Sequence, residues 1–391
     1  MKILHTSDWH LGRKFVNEDL LATQSDFVDW LVETVRTEKI ELVAIAGDVY
    51  DRSVPPEEAV ALLGRALDDI VGAGAQVVMI PGNHDNTTRL GFGERAFGLA
   101  GIHIRGSIKP ERAGAPFFLD FKDGPLAVVA VPFLDPGMYF VRGADGEYPE
   151  SQFERTHEGA LQDALQNARS TISERGTKRS LILSHAFVDK EVIESSDSEK
   201  VLRVGGTDRV GLNVFAGFSY AALGHIHRPY SFEENRISYS GSPIPYSFSE
   251  EAQKIVRIIE MTPDGSIEVE ERAVPIGRRV ATITGLLADL LKEEKHSYAD
   301  GCWVRAILMD TEVRLNPMAQ LRTRFPHTIA IENNALDARS QTGGPDVEKI
   351  DSLTDEELAE HYWLDVREEK LEGEYRSLLV DAILTEKEAA Q

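Results

Sequence analysis

Short apolar runs punctuate the first two-thirds of the chain. Each ends in a polar cluster and is followed by a stretch of helical periodicity. The runs cover residues 2–5, 42–46, 76–80, 126–131, 180–183 and 220–223, and are mostly Val, Ile, Leu and Ala. Runs of this length and composition predict strands buried on both faces. Phe27, Trp30, Leu31 and Val35 recur at helical spacing. So do Val60, Leu63, Leu67 and Ile70, behind a Pro-Pro-Glu-Glu start at 55–58. Residues 163–174 predict a third helix. Strands then come closer together, at 237–239, 254–261 and 266–274. The pattern predicts an α/β fold over residues 1–275, a sandwich of mixed sheets flanked by helices.

A smaller α+β unit is expected from 276 to 335. Its strands are read at 278–284, 303–309 and 328–331, and its helices at 286–295 and 316–324. Residues 333–345, NNALDARSQTGGP, have linker composition. The tail, 346–391, holds 15 acidic and 5 basic residues and carries Tyr375, Leu378, Leu379, Ala382 and Ile383 as a helical stripe. There are no internal repeats.

Composition removes several classes. With 42 % hydrophobic and 27 % charged residues the chain is ordinary globular material, not a disordered one. The one cysteine, Cys302, excludes an intramolecular disulfide and a cysteine-based zinc site. No stretch has signal-peptide or membrane-span character, so a cytoplasmic protein with no membrane partner is expected. The net charge of −23 argues against sequence-independent nucleic-acid binding by the chain as a whole, because counterion release needs Lys and Arg. Residues 277–330 are the exception, with 8 basic and 6 acidic side chains.

The chemistry-bearing residues stand where the predicted strands end. The clusters are Asp8-Trp9-His10, Gly47-Asp48-Val49-Tyr50-Asp51, Gly82-Asn83-His84-Asp85, Ser184-His185 and Gly224-His225-Ile226-His227. In open α/β sheets, sites form beyond the carboxyl ends of the strands, so five clusters can converge. Asp8, His10, Asp48, Asn83, His185, His225 and His227 offer two carboxylates, one amide and four imidazoles, which suits two divalent cations. Such a pair attracts a phosphodiester and lowers the pKa of water. Glycine before Asp48, Asn83 and His225 permits tight turns and close backbone approach.

This ordered set, DxH, GDxxD, GNHD, a strand-end histidine and GHxH, resembles the calcineurin-like metallophosphoesterase superfamily. SDWHLG at 7–12, GDVYD at 47–51, GHIHRP at 224–229 and YSGSPIPYSFSE at 239–250 narrow the likeness to the SbcD family. These are the nuclease subunits of bacterial SbcC–SbcD complexes, related to the Mre-type nucleases of archaea and eukaryotes. The resemblance implies one Mn²⁺ on Asp8, His10, Asp48 and His227, and a second on Asp48, Asn83, His185 and His225. The donor types alone are equally compatible with Fe or Zn. It also implies that His84 contacts the scissile phosphate and assists the leaving oxygen, with Asp51 orienting it.

The implied activity is 3′→5′ exonuclease on duplex ends and endonuclease on single strands and hairpins, within DNA repair, recombination and replication. The implied partners are DNA, an SbcC-type ABC ATPase with a long coiled coil, and a second copy, giving a homodimer within a nucleoid-associated heterotetramer. The chain carries no GxxxxGK[ST] phosphate loop, so ATP is handled elsewhere. Arg278, Arg279, Arg305, Arg314, Arg322 and Arg324 are the expected DNA path of the cap. Leu90, Phe92, Phe97 and Leu99, with Leu62 or Leu63, are the expected self-association patch, and the tail stripe the expected partner-binding helix. Two alternatives stand beside this reading: another phosphoesterase, such as a phosphatase or cyclic-nucleotide phosphodiesterase, and a non-enzymatic DNA-end tether.

Overall fold

The computed structural model describes residues 1–141, 152–188, 209–292, 294–312 and 314–333, with single positions between 357 and 379. Its principal strands in chain order are β1 (Lys2–Thr6), β2 (Leu42–Ala46), β3 (Gln76–Ile80), β4 (Ile102–Ile104), β5 (Phe117–Phe121), β6 (Gly124–Val131), β7 (Ser180–His185), β8 (Tyr220–Gly224), β9 (Tyr230–Phe232), β10 (Ile237–Tyr239), β11 (Ile255–Met261) and β12 (Ile267–Ala273). They form two six-stranded sheets, in the orders β12-β11-β1-β2-β3-β4 and β9-β10-β8-β7-β6-β5. Strands β1, β2, β3 and β4 run parallel, as do β6, β7, β8 and β10, while β11, β12, β5 and β9 pair antiparallel.

Alternation along each strand builds the layers. On β1, Ile3 faces the second sheet and packs with Leu42, Val78, Leu126, Leu181 and Ala222. Leu4 faces the other way and packs with Val43, Val77 and the helices α1 (Leu21–Glu38) and α2 (Glu57–Gly72), through Phe27, Leu31, Leu63 and Ile70. The second sheet repeats this, with Val129, Ile182 and Leu223 against Leu161, Leu165, Ile172 and Phe215. Helix, sheet, sheet and helix are thus four layers held by three apolar cores. The strands read from both-face burial are all present, with ends shifted by no more than two residues.

Two sequence expectations fail locally. The helix read at 163–174 is two, His157–Leu165 and Ala168–Glu174, separated at Gln166-Asn167. The Thr156 hydroxyl accepts the Gly159 N–H and starts the first six residues earlier than expected. The helix read at 286–295 is only Leu287–Leu290, followed by a 3₁₀ segment, Glu294–Ala299.

The chain divides into two compact units, Met1–Thr282 with Tyr298–Arg305, and Ile283–Ser297 with Ala306–Gln391. The strands Val280–Gly285, Trp303–Leu308 and Thr328–Asn333 make a three-stranded sheet in that order. In the second unit the buried Asp310 accepts the Leu287 N–H at 2.8 Å, and Arg324 donates to the Leu290 carbonyl at 2.6 Å. The linker at 334–345, the tail at 346–391 as a segment, and Ala382 and Ile383 of its stripe lie outside the described residues. Of that stripe, Tyr375, Leu378 and Leu379 are at helical positions.

Candidate metal centre

Parallel β1, β2, β3, β7 and β8 all point their carboxyl ends to one edge of the sandwich, and the five polar clusters follow there. The first loop is held by a buried anchor. Trp9, between two site residues, has no exposed surface, donates its Nε1–H to Thr6 Oγ1 at 2.9 Å and meets Phe27 edge-on. Asp8 and His10 flank it, both with left-handed backbone, at φ 54° and 44°. Asp48 (φ 46°) and His225 (φ 106°) share that conformation, which costs of order 1–3 kcal/mol per residue and clusters at functional sites.

The glycines answer close approach. A Cβ on Gly82 would fall on the Asp48 carboxylate, and one on Gly224 on the Ala46 carbonyl. At Gly47, with φ 91°, it would meet the His185 ring.

The structure brings all seven expected donor residues into one buried nest. Asp48 Oδ2 lies 3.6 Å from His10 Nε2 and 3.4 Å from His185 Nε2, so one carboxylate oxygen stands between two groups of imidazoles. His10 Nε2 faces His227 Nε2 at 3.1 Å. Asn83 Oδ1 lies 3.0 Å from His185 Nε2 and 3.1 Å from His225 Nδ1. Asp8 accepts the His225 backbone N–H at 3.0 Å and the Ser7 hydroxyl at 2.6 Å. Asp8, His10 and His227 place their donor atoms within 4.8 Å of one another, as do Asp8, Asp48 and His185.

His84 sits at the rim, with Nε2 4.0 Å from Asp48 Oδ2, and forms a third such group with His10 and Asp48. Asp51, expected to orient it, touches His84 through the main chain. The His84 Nδ1–H donates to the Asp51 carbonyl at 2.7 Å. The Asp51 carboxylate lies away from that contact, 3.3 Å from Arg13 Nη1 and 3.7 Å from His10 Nδ1. Arg13, on the neighbouring loop, neutralises it.

The electrostatics show what the nest lacks. Burial pushes the Asp8 carboxyl up to about 6. Burial likewise drives His10 well below its ordinary value and His225 to about 3, so both are neutral donors of lone pairs. Burial works against charge on His185 too, but the Asp48 carboxylate outweighs it and raises the imidazole to about 9. Asp48, although burial opposes its charge, is held well below the carboxylate range by His185 and His10. Two buried carboxylates, an amide oxygen and four imidazoles converge, and burial opposes charge on Asp8, His10, Asp48, His185 and His225 alike. This donor set fits divalent cations, which supply the missing positive charge.

Three residues to which the sequence assigned no role hold the nest. Asp85 accepts the N–H groups of Val49, Tyr50 and Gly82, all at 2.9 Å, tying two ligand loops together. Burial, followed by the Asp48 charge, raises it to about 7. Gln24 of α1 donates to the carbonyls of Trp9 and His10 and accepts from Gly12. Glu250 accepts from His227. The available signal was a polar residue on the apolar face of α1 and an acid closing the 239–250 segment.

The expected self-association patch is only partly at the surface. Leu62, Leu63 and Leu90 are buried in the core between the first sheet and its helices, whereas Phe92, Phe97 and Leu99 are exposed, Leu99 to 93 %. The six arginines divide between the units. Arg278 and Arg279 are exposed; Arg305 contacts Thr282 and lies over the Phe248 ring. Arg314 pairs with Asp310 at 2.5 Å, Arg322 donates to the Thr328 carbonyl and Arg324 to Leu290. Among the described residues no helix is long and apolar enough to cross a membrane.

Comparison with known proteins completes the assignment. Residues 1–229 match the calcineurin-like phosphoesterase model, and residues 277–367 match the type 5 capsule protein repressor C-terminal domain. The D subunit of nuclease SbcCD from Staphylococcus saprophyticus is 30 % identical over 95 % of this chain and 94 % of its own length. Its counterpart from Staphylococcus epidermidis is 28 % identical, over 95 % of each. Among solved structures, TT1561 of Thermus thermophilus covers 69 % of this chain and 98 % of its own, at 12 % identity and a TM-score of 0.38. With a family model over more than half its length and a relative alignable nearly end to end, the chain belongs to the calcineurin-like phosphoesterase family, as a metal-dependent hydrolase of the type found as the D subunit of SbcCD nucleases.

Proposed function

We propose that this chain hydrolyses DNA phosphodiesters at ends and hairpins, acting as a 3′→5′ exonuclease on duplex ends and an endonuclease on single strands and hairpins. The observation that carries the reading is the Asp48 carboxylate set between two imidazole groups, with His84 at the rim beside it. Asp8, His10, Asp48 and His227 would hold one cation, and Asp48, Asn83, His185 and His225 the other; Mn²⁺ is the proposed metal. Bound cations supply charge stabilisation at phosphorus and an acidified water. The chain's own residues do the rest. Buried donors fix where the phosphate docks. His84, with its Nδ1–H held by the Asp51 carbonyl, presents Nε2 to the leaving oxygen and delivers a proton from its charged form.

The partner is an SbcC-type ABC ATPase with a coiled coil, met through the acidic tail at 346–391, and the complex is nucleoid-associated. The segment 276–335 is the proposed DNA-binding cap, with Arg278, Arg279, Arg314 and Arg322 among its exposed cations. Two copies associate through Phe92, Phe97 and Leu99. Phe97→Glu is expected to leave a folded monomer by light scattering; a folded dimeric variant defeats that interface.

The deciding experiment is cleavage of end-labelled duplex, hairpin and single-stranded DNA with Mn²⁺ or Mg²⁺, with and without the ATPase partner. Metal-dependent shortening from 3′ ends and hairpin opening are expected. Hydrolysis of a small phosphomonoester with DNA untouched would replace the reading by a phosphatase. Metal-dependent DNA binding without any hydrolysis would leave a tether.

A further inference from the structure

Behind His227 lies a buried network that none of the ligand motifs contains. The side chains of His227 and Glu250 are each 2 % exposed, and His227 Nδ1 meets Glu250 Oε1 at 3.0 Å. A carboxylate only accepts, so Nδ1 carries the proton and, in the neutral ring, Nε2 the lone pair. That Nε2 is the atom 3.1 Å from His10 Nε2 in the nest. The second oxygen, Glu250 Oε2, accepts from Lys254 Nζ at 2.5 Å and lies 3.1 Å from Ser242 Oγ. Lys254 Nζ also donates to the His227 carbonyl at 3.1 Å and to Ser242 Oγ at 2.8 Å, and the Ser242 N–H reaches the same carbonyl. Ring and backbone of His227 are therefore gripped by one set of groups.

A buried Glu–Lys pair is complete without a histidine, and as an ion pair alone it is a weak source of stability. What this one adds is a negative charge directly behind an imidazole whose other nitrogen faces the nest. A carboxylate in that place fixes tautomer and ring orientation and makes the far nitrogen a better donor.

We infer that Glu250 is a positioning residue for His227: it holds the Nδ1–H tautomer, aims Nε2 into the nest, and thereby sets the affinity of the cation on the Asp8, His10 and His227 side. The inference rests on the reading of His227 as a ligand. Lys254 and Ser242 serve it by holding the carboxylate in place.

The test uses the full chain and two variants. Glu250→Gln keeps the shape of the side chain. Glu250→Met/Lys254→Met replaces the buried pair by apolar residues of similar volume, a change that cores commonly tolerate, so it remains decisive if the first variant fails to fold. Calorimetric titration with Mn²⁺ is expected to show two ions on the wild type. In the folded variants one of them binds about 10–100-fold more weakly and the other is unchanged. In the metal-free chain, ¹⁵N-histidine NMR is expected to show His227 as the Nδ1–H tautomer and to lose that signature in the Met/Met variant. Native affinity for both ions in the folded variants, or an Nε2–H tautomer in the wild type, overturns the inference. Should the wild type take up no Mn²⁺ while its Nδ1–H signature depends on Glu250, the ligand reading fails and the positioning of His227 stands.

Discussion

The nest at the strand ends and the basic segment at 277–330 both carry groups suited to a phosphate backbone, but they are built on opposite terms. In the nest every expected donor residue follows a strand or ends one, and is mostly buried, Asp8 and His10 without any exposed surface. Four of the seven hold left-handed backbone, and three glycines give way where a Cβ would strike a neighbour. In the basic segment Arg278, Arg279, Arg314 and Arg322 are all exposed; Arg314 pairs with Asp310, and Arg278, Arg322 and Arg324 donate to the carbonyls of Gly301, Thr328 and Leu290. Chemistry that depends on placing lone pairs to within a few tenths of an ångström is anchored in the core. Attraction for a polyanion tolerates solvated, adjustable charges.

The largest effect therefore belongs to Asp48. Its Oδ2 is shared between the two imidazole groups and its Oδ1 accepts the His84 backbone N–H at 2.8 Å. Asp48→Ala is expected to lower Mn²⁺ uptake and to cut DNA cleavage by at least about three orders of magnitude, since losing several kcal/mol of charge stabilisation costs about tenfold per 1.4 kcal/mol. Normal uptake of two ions by that variant would dissolve the bridging role.

His84 comes next, and its variant sharpens the boundary of the nest. His84→Gln is expected to bind two Mn²⁺ and DNA while single-turnover cleavage falls about 10²-fold or more, the usual weight of a positioned acid. Because His84 Nε2 also groups with His10 and Asp48, a lost ion would make it a ligand. Near-normal cleavage would make it dispensable.

How far this was legible follows the same division. Both-face burial makes inner strands read as unbroken apolar runs, so 42–46 and 76–80 match β2 and β3 residue for residue. Their ends then place motifs that are local in sequence. The edge strands β4 and β5 were not read. Phe117–Phe121 is half covered and ends beside charges, which blurs its pattern. Asp85, Gln24 and Glu250 act on loops that are distant along the chain, Gln24 standing 14 positions from His10 and Glu250 23 from His227. No local spacing announces such contacts. Leu62, Leu63 and Leu90 were misread as surface for the converse reason: periodicity shows an apolar face but not what already covers it.

A smaller effect tests the solvated side of the contrast. Arg278→Gln/Arg279→Gln is expected to weaken DNA binding and to lower the slope of log affinity against log salt by about 1–2, the loss of up to two phosphate contacts. Arg314→Gln should leave the slope near the wild type, as that guanidinium is already paired with the Asp310 carboxylate. Anisotropy titrations between about 50 and 200 mM salt read both. The reverse order would move the DNA path to the second unit.

The smallest effect asks whether the nest depends on charge state in the core beneath it. His5, on β1 of the first sheet, reaches β8 of the second: Nε2 lies 3.1 Å from the Leu223 carbonyl and Nδ1 2.9 Å from the Tyr220 hydroxyl. A carbonyl only accepts, so Nε2 carries the proton and Nδ1 accepts the Tyr220 O–H; the neutral ring serves both contacts one residue before Gly224-His225. Burial, followed by the Arg257 charge, lowers His5 from 6.5 to about 3. Between those values only the unfolded chain takes up the proton. The stability that His5 contributes is therefore complete above about pH 6.5 and drains away as pH falls toward 3. His5→Gln removes that titration while leaving His10 and His225 as they were. In denaturant unfolding, the wild type's advantage over this variant is expected to shrink by on the order of 1 kcal/mol per pH unit below about 6.5. Parallel stability curves from about pH 7.5 to 4.5 would mean that His5 holds its proton as readily folded as unfolded, and that the tie between the sheets does not require a neutral ring.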